Sequence, residues 1–168
     1  NRVTQKNHQG VIAFVAPVAF QAIEDIIPFV YEQGEQPFVL VLDKITDVRN
    51  FGAICRTAEC AGVHAIVVPS KGAASINGDA VKTSAGALNH LAICRTFNLP
   101  KTVNFLKESG LSIAACTEKA KAIYSELNFK GPLALVLGAE DAGIGKDILE
   151  KADEEIRIPL HGKIESLN

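Results

Sequence analysis

The chain has 168 residues, of which 48% are hydrophobic and 21% charged, and its formal net charge is −2. This composition suits one globular domain with a sizeable core and excludes a disordered or collagen-like chain. No apolar run reaches the roughly 18 residues of a membrane span, so we expect no membrane partner. A nucleic-acid partner would have to be held by local basic groups, another domain or a second subunit, because the overall charge is slightly negative.

The first ten residues are polar and are predicted to form a linker. The stretch AFQAIEDIIPFVYEQG that follows has helical spacing and ends at Gly34, although Pro28 lies inside it. From Phe38 onward the pattern becomes regular. The continuous apolar run Phe38–Asp43, with its acidic end, is typical of a strand buried on both faces.

Strands of the same type alternate with helical segments in the rest of the chain. Further strands are predicted at residues 64–69, 90–97, 111–117, 133–138 and 156–158, and helices at 50–61, 78–88, 100–109 and 146–152. This alternation predicts one α/β domain over residues 11–168, with a mostly parallel sheet and helices on both faces. Ligands of such sheets bind beyond the carboxyl ends of the strands, where this chain places many Gly, Asn and acidic residues.

The segment TDVRNFGAICRTAECAGV begins a predicted helix directly after the first regular strand. Either Asp47 or Asn50 can cap this helix, and Gly52 allows a close neighbour. Arg56 lies opposite the apolar stripe of the helix, so its side chain points into solvent or into the cleft. It is therefore either a solvated surface arginine or an anchor for a phosphate or substrate.

The segment LALVLGAEDAGIG carries a buried strand into a glycine-rich turn that contains Gly138 and Glu140. Such glycines allow a ligand to lie against bare backbone. The spacing matches neither a Walker loop nor the GxGxxG pattern of dinucleotide-binding folds. The alternative is an ordinary tight turn capped by Glu140 and Asp141.

The segment IRIPLHGKIESLN ends the sequence with adaptable polar groups at Gly162, Ser166 and Asn168. His161 is a lone loop histidine, which is more often a bystander than a ligand. The four cysteines, at positions 55, 60, 94 and 116, form no CxxC pair. They are predicted to be free, mostly buried thiols of a reducing cytoplasm, and no metal site is expected because the ligand spacing is absent.

Three segments in this order, NFGAICRTAECAGV, LVLGAEDAGI and IPLHGKIESLN, resemble the three motifs of the SpoU (TrmH-like) branch of the SPOUT methyltransferases. The stretch HQGVIA at residues 8–13 also resembles a junction in the bacterial 23S rRNA guanosine 2′-O-methyltransferase subgroup. In that subgroup the junction follows a small N-terminal RNA-binding domain. Residues 1–10 would then be the linker from such a domain, missing here.

The resemblance implies a trefoil-knotted α/β fold, S-adenosylmethionine as cofactor, a homodimer in the cytoplasm, and methylation of a ribose 2′-hydroxyl in RNA, most of all rRNA. By position, the family's catalytic set corresponds to Asn50, Arg56, Glu140 and Asn168, and its substrate-binding residues to Arg56 and Ser166. The cofactor-binding backbone corresponds to Gly138, Ile158 and Leu167, with Thr117 beside it.

Three alternatives remain open: a tRNA target within the same family, a catalytically inactive RNA-binding or ribosome-assembly module, and a dehydrogenase-like nucleotide-binding domain. The missing GxGxxG argues against the last. The sequence starts at Asn1 and contains no Met. We therefore expect it to be part of a longer chain, whose continuation beyond Asn168 would thread the knot, so that the knot is incomplete in this chain.

Overall fold

The computed structural model describes residues 18–163, and within them eight strands and five α-helices follow one another. The strands are β1 (Phe20–Gln21), β2 (Phe38–Asp43), β3 (Ala65–Pro69), β4 (Ala92–Thr96), β5 (Ser112–Cys116), β6 (Ala122–Ile123), β7 (Leu133–Gly138) and β8 (Glu154–Arg157). The helices are α1 (Ile23–Glu32), α2 (Val48–Cys60), α3 (Gly78–Thr83), α4 (Leu99–Glu108) and α5 (Lys146–Leu149). None of the helices in this part of the chain is long and apolar enough to cross a membrane.

All eight strands join one sheet in the order β1-β4-β3-β2-β7-β5-β8-β6, and every pairing between them is parallel. The chain leaves β2 through α2 toward β3 on one side, whereas β7 arrives much later and pairs with β2 on the other side. Open α/β sheets bind their ligands near such reversals, beyond the carboxyl ends of the strands.

The two faces of the sheet carry separate hydrophobic clusters, because successive strand residues point to opposite sides. Val39 and Val41 pack with α1, α4 and α5, and Leu40 and Leu42 pack with α2 and α3. The predicted α/β architecture, with a parallel sheet and helices on both faces, is therefore confirmed. The predicted knot remains an expectation, since the segment expected to thread it follows Asn168 and is outside the described part of the chain.

The predicted helix over 78–88 is wrong in its second half. The structure ends α3 at Thr83, and Ala85 and Gly86 take positive φ angles of 51° and 91°. A short 3₁₀ turn, Ala87–Asn89, follows. Left-handed backbone cannot continue a right-handed helix, and the glycine is the residue that adopts it at little cost.

The predicted helix at 146–152 is also too long, because α5 ends at Leu149 and turns carry the chain to Ala152. Strands β1 and β6 were not predicted from the sequence. Each has only two residues, which is too short to show an alternating or continuous apolar pattern.

Candidate functional site

Three of the predicted cofactor-site residues lie at the carboxyl ends of three neighbouring strands. Gly138 ends β7, Thr117 follows β5 and Ile158 follows β8. The strands run β7-β5-β8 in the sheet, and the Thr117 N–H donates to the Ile156 carbonyl at 2.9 Å. The parallel sheet therefore brings these positions to one edge, although they are far apart in the sequence. Leu167, the fourth of them, lies outside the described residues.

The turn from Ala139 to Gly145 folds back onto the end of β7. The Gly143 N–H donates to the Ala139 carbonyl at 2.8 Å, and these two residues form an isolated antiparallel bridge. A Cβ on Gly138 would lie 2.3 Å from the Gly143 carbonyl carbon and 2.4 Å from the Ile144 nitrogen. The space beside Gly138 is thus filled by the turn itself. The absence of a side chain at Gly138 is explained on this side by the turn, and cofactor binding by the Gly138 backbone stays a prediction.

Glu140 is exposed near the beginning of the same turn. The hydrogen bond between Gly143 and Ala139 closes this turn and so fixes the position of the Glu140 backbone relative to the end of β7. Asn168 and Ser166, which the sequence grouped with Glu140 and Arg56, lie outside the described residues. His161 is exposed in the segment after β8.

The start of α2 is capped by Asp47, whose Oδ1 accepts the Asn50 N–H at 2.7 Å. The interpretation of Asn50 as the helix cap is therefore wrong. Asn50 is exposed in the first turn of α2. Gly52 has a packing role: a Cβ there would lie 2.8 Å from Thr83 Cβ and 2.9 Å from the Ala80 carbonyl oxygen of α3. The close neighbour expected from the sequence is thus α3.

Arg56 is exposed on α2 and lines a shallow depression of about 280 Å³. The other walls are Glu59, Cys60, the bend Ser84–Ala87 and His90. Ser84 is buried, and its hydroxyl donates to the Val81 carbonyl at 2.8 Å, which fixes one side of the bend. Arg56 lies six residues beyond Asn50, about 9 Å along the helix axis. Arg56 therefore lies beside α2 and the Ser84–Ala87 bend, whereas the predicted cofactor-site residues lie at the ends of β7, β5 and β8.

The four thiols are free, as predicted, but they differ in exposure. Cys55 and Cys94 are buried, Cys116 is intermediate and Cys60 is exposed. Burial raises the pKa of Cys55 to about 12 and, together with nearby Glu24, the pKa of Cys94 to about 11. Within residues 18–163, no three His, Cys, Asp or Glu side chains are grouped so that they could hold a metal ion.

Asp43 is the residue at this edge that sequence reasoning passed over. It is the buried acidic end of β2, and its Oδ2 accepts the Gly145 N–H at 2.8 Å. The sequence showed it only as the polar end of an apolar run. No local pattern indicates a partner 102 positions away.

Comparison with known proteins places the chain among the RNA methylases. A model described as the SpoU rRNA Methylase family matches residues 37–168, which include all three motifs. The chain belongs to this family.

Similar curated proteins cover almost the whole chain. The 23S rRNA (guanosine-2′-O-)-methyltransferase RlmB of Escherichia coli is 39% identical over 96% of this chain and 66% of its own length. YacO of Bacillus subtilis, named as a TrmH family tRNA/rRNA methyltransferase, is 38% identical over 96% of this chain and 65% of its own length. The chain thus spans slightly less than two thirds of these relatives.

A solved structure with a similar fold is that of the SpoU methyltransferase AviRb of Streptomyces viridochromogenes in complex with the cofactor AdoMet. It has a TM-score of 0.70 and 25% identity, covering 79% of this chain and 54% of AviRb. The described fold therefore agrees with the family that the sequence match identifies.

Proposed function

We propose that this chain is the methyltransferase domain of an enzyme that uses S-adenosylmethionine to methylate a ribose 2′-hydroxyl, on a guanosine of large-subunit (23S) rRNA. The observation that carries the proposal is the similarity to RlmB, whose name states this reaction, across almost the whole chain. A tRNA target is the alternative, because YacO is named as a methyltransferase of tRNA or rRNA.

The carboxyl edge fits an adenosyl cofactor. Ile158, beyond β8, is 48% exposed and offers apolar surface on which a base can lie. The backbone at Gly138, Ile158 and Leu167 would supply hydrogen bonds to the adenosyl group, with Thr117 beside it. S-adenosylmethionine would supply an already electrophilic methyl group on its sulfonium and would become S-adenosylhomocysteine. The chain's own residues would position the ribose, ease the loss of the 2′-hydroxyl proton and exclude water.

Arg56 is the residue that we assign to the 2′-hydroxyl. A guanidinium gives up its proton reluctantly, so Arg56 would hold an adjacent phosphate and stabilise the charge that develops on the 2′-oxygen. Asn50, Glu140 and Asn168 would fix Arg56 and the ribose, and Ser166 would contact the substrate. Arg56 lies in the second half of α2, in a different part of the fold from the carboxyl-edge residues. A second protein copy or the RNA itself would therefore bring the methyl donor and Arg56 to the same ribose.

A homodimer is part of the proposal. Tyr124 directly follows the edge strand β6, and its side chain is 49% exposed. Leu160 adds a side chain that is 40% exposed. A second copy could cover these apolar groups, and light scattering after size exclusion measures whether it does. The RNA would also need contacts outside this chain, because the chain carries a net charge of −2.

The decisive experiment maps ribose 2′-O-methyl groups in rRNA and tRNA from cells with and without the gene. Loss of one 23S rRNA guanosine methyl group, restored by the wild-type gene, supports the proposal. Loss of a tRNA methyl group instead identifies the alternative target. Unchanged methylation of every RNA contradicts an enzymatic role and favours an inactive RNA-binding module.

The role of Arg56 is tested by replacing Arg56 with Lys, which keeps the charge but removes the planar pair of donors. We expect methyl transfer to fall by about 10²-fold or more, while Arg49→Lys, on the same helix, leaves the rate near that of the wild type. Near-wild-type turnover of Arg56→Lys with unchanged RNA affinity would contradict the proposed role.

A further inference from the structure

Asp43 is a charged residue type at the end of an apolar, buried strand. It is 6% exposed, and the other buried polar residues in the described part of the chain are the uncharged Ser84 and Thr102. A buried carboxyl group destabilises a fold unless donors satisfy its oxygens. The contacts of the Asp43 carboxylate therefore decide how it is accommodated.

The contact of Asp43 is with the far end of the glycine-rich turn. Its Oδ2 accepts the Gly145 N–H at 2.8 Å. A Cβ on Gly145 would lie 3.3 Å from the same oxygen and 2.8 Å from Asp147 Oδ1. A side chain at position 145 would therefore crowd this contact. The bond joins the end of β2 to the chain segment that follows β7.

The rest of the turn is fixed to β7 and to the core. Asp43 pairs in register with Gly138, where the turn begins, and the backbone of Gly143 and Ile144 fills the space beside Gly138. Ile144 is 8% exposed and belongs to the core on the face that also includes Val39. The hydrogen bond between Asp43 and Gly145 attaches the last residue of the turn to the end of β2.

Charge pairing is the weaker part of the environment of Asp43. Lys44 Nζ lies 3.7 Å from Asp43 Oδ2, and the Lys44 side chain is 48% exposed. Solvent screens such a pair, so it contributes little. The structural contribution of Asp43 is therefore that of a hydrogen-bond acceptor at the carboxyl end of β2.

We infer that Asp43 is a positioning residue for the methyltransferase site: through Gly145 it holds the Ala139–Gly145 turn, which carries Glu140, in the geometry that accepts the cofactor. The inference rests on the proposed function. Asp43 acts through the turn and touches neither cofactor nor RNA. Its removal consequently weakens cofactor binding and leaves RNA binding unchanged.

The test compares Asp43→Ala, which removes the acceptor, with Asp43→Asn, whose amide oxygen can accept the same bond. Lys44→Gln is the matched control, because it removes only the neighbouring charge. Isothermal titration of the complete protein with S-adenosylmethionine gives the Kd, and hydrogen exchange by NMR gives the protection of the Gly145 amide relative to the amides of β2. RNA affinity is measured in parallel.

We expect Asp43→Ala to raise the Kd for S-adenosylmethionine by about tenfold or more and to speed exchange at Gly145 without affecting β2. Asp43→Asn and Lys44→Gln should stay within about threefold of the wild type. If Asp43→Ala does not fold, Gly145→Pro removes the donor N–H from the other side, at a φ of −61° that proline adopts, and should weaken cofactor binding similarly.

Three results would overturn the inference. The first is wild-type cofactor affinity in Asp43→Ala with a freely exchanging Gly145 amide, and the second is an Asp43→Asn defect as large as that of Asp43→Ala. The third is a wild-type protein that binds no S-adenosylmethionine, which overturns the proposed function as well. The first two leave the proposed function intact, so the two failures are distinguishable.

Discussion

Lys107 Nζ lies 2.6 Å from Asp153 Oδ1, while the other oxygen of Asp153 accepts the Ile113 N–H at 2.9 Å. These bonds attach α4 and the start of β5 to the residue directly before β8. Partial burial raises the pKa of Asp153, but the bonds from Lys107 and Ile113 outweigh it, and the pKa lies below its ordinary value of 3.8. The ionised form is thus the one that holds β8 beside β5.

Because the folded-state pKa of Asp153 is lowered, its contribution to stability is present above the unfolded-state value of 3.8 and is lost as the pH falls through the folded-state value. We expect Asp153→Asn to be less stable than the wild type at neutral pH, with the difference shrinking in acid. Urea unfolding at pH 7, 4 and 3 (nominal settings, roughly spanning the carboxyl range) measures it. Glu150→Gln is the control, since its pair with Lys146 is 3.7 Å long and exposed. A difference that grows in acid would contradict this assignment.

Gly138→Ala is expected to displace the turn after β7. The added Cβ would meet the backbone of Gly143 at 2.3 Å and that of Ile144 at 2.4 Å, and neither backbone can rotate away as a side chain can. We expect a loss of about 1–3 kcal/mol in the free energy of unfolding, measured in urea. Gly131→Ala, where nothing lies within 4 Å, should change it by less than about 0.5 kcal/mol. Equal effects of the two substitutions would show that the turn is not closely packed on β7.

Gly52→Ala tests the packing of α2 against α3. Its Cβ would lie 2.8 Å from Thr83 Cβ and 2.9 Å from the Ala80 carbonyl oxygen, so the helices would have to separate. We expect destabilisation of about 1–3 kcal/mol, with the Tm falling by roughly 2–4 °C for each kcal/mol. Gly78→Ala in α3 is the control, because nothing lies within 4 Å of its added Cβ. An unchanged Tm in Gly52→Ala would mean that the two helices can separate freely.

Thiol reactivity distinguishes Cys60 from the other cysteines. Cys60 is exposed, whereas burial raises the pKa of Cys55 to about 12 and that of Cys94 to about 11, and raises the pKa of Cys116 as well. Since the thiolate is the reactive form, we expect one fast-reacting thiol with Ellman's reagent in mildly alkaline buffer. Cys60→Ser should remove this fast phase, and Cys116→Ser should leave it intact. A fast phase that survives in Cys60→Ser would contradict this order of reactivity.

The central strands could be predicted from the sequence, and the break after α3 could not. Phe38–Asp43 and Leu133–Gly138 match the structure because strands buried on both faces appear as continuous apolar runs. Around Ala85, by contrast, the sequence is alanine-rich and favours helix. The left-handed turn there follows from tertiary packing, for which Gly86 was the only local signal.

The candidate site was predictable in its segments and not in its internal contacts. Strand ends rich in glycine and acidic residues indicated the carboxyl edge, where Gly138, Thr117 and Ile158 lie. The partner of Asp43 could not be foreseen, because a hydrogen bond across 102 positions leaves no periodic trace. At Gly138 the sequence suggested space for a ligand, and the chain's own turn fills the space on the Cβ side. Such packing between distant residues also leaves no local pattern.

The position of β7 has a consequence for synthesis on the ribosome. Strands β2 and β5, its two neighbours in the sheet, both emerge before it. Until Leu133–Gly138 is made, the backbone edges of β2 and β5 have no partner there, and β2 carries the apolar run from Val39 to Leu42. Unpaired apolar edges favour aggregation. A nascent chain stalled before Leu133 would therefore depend on chaperones to keep these edges covered. The need would end when β7 is made and takes its place between β2 and β5.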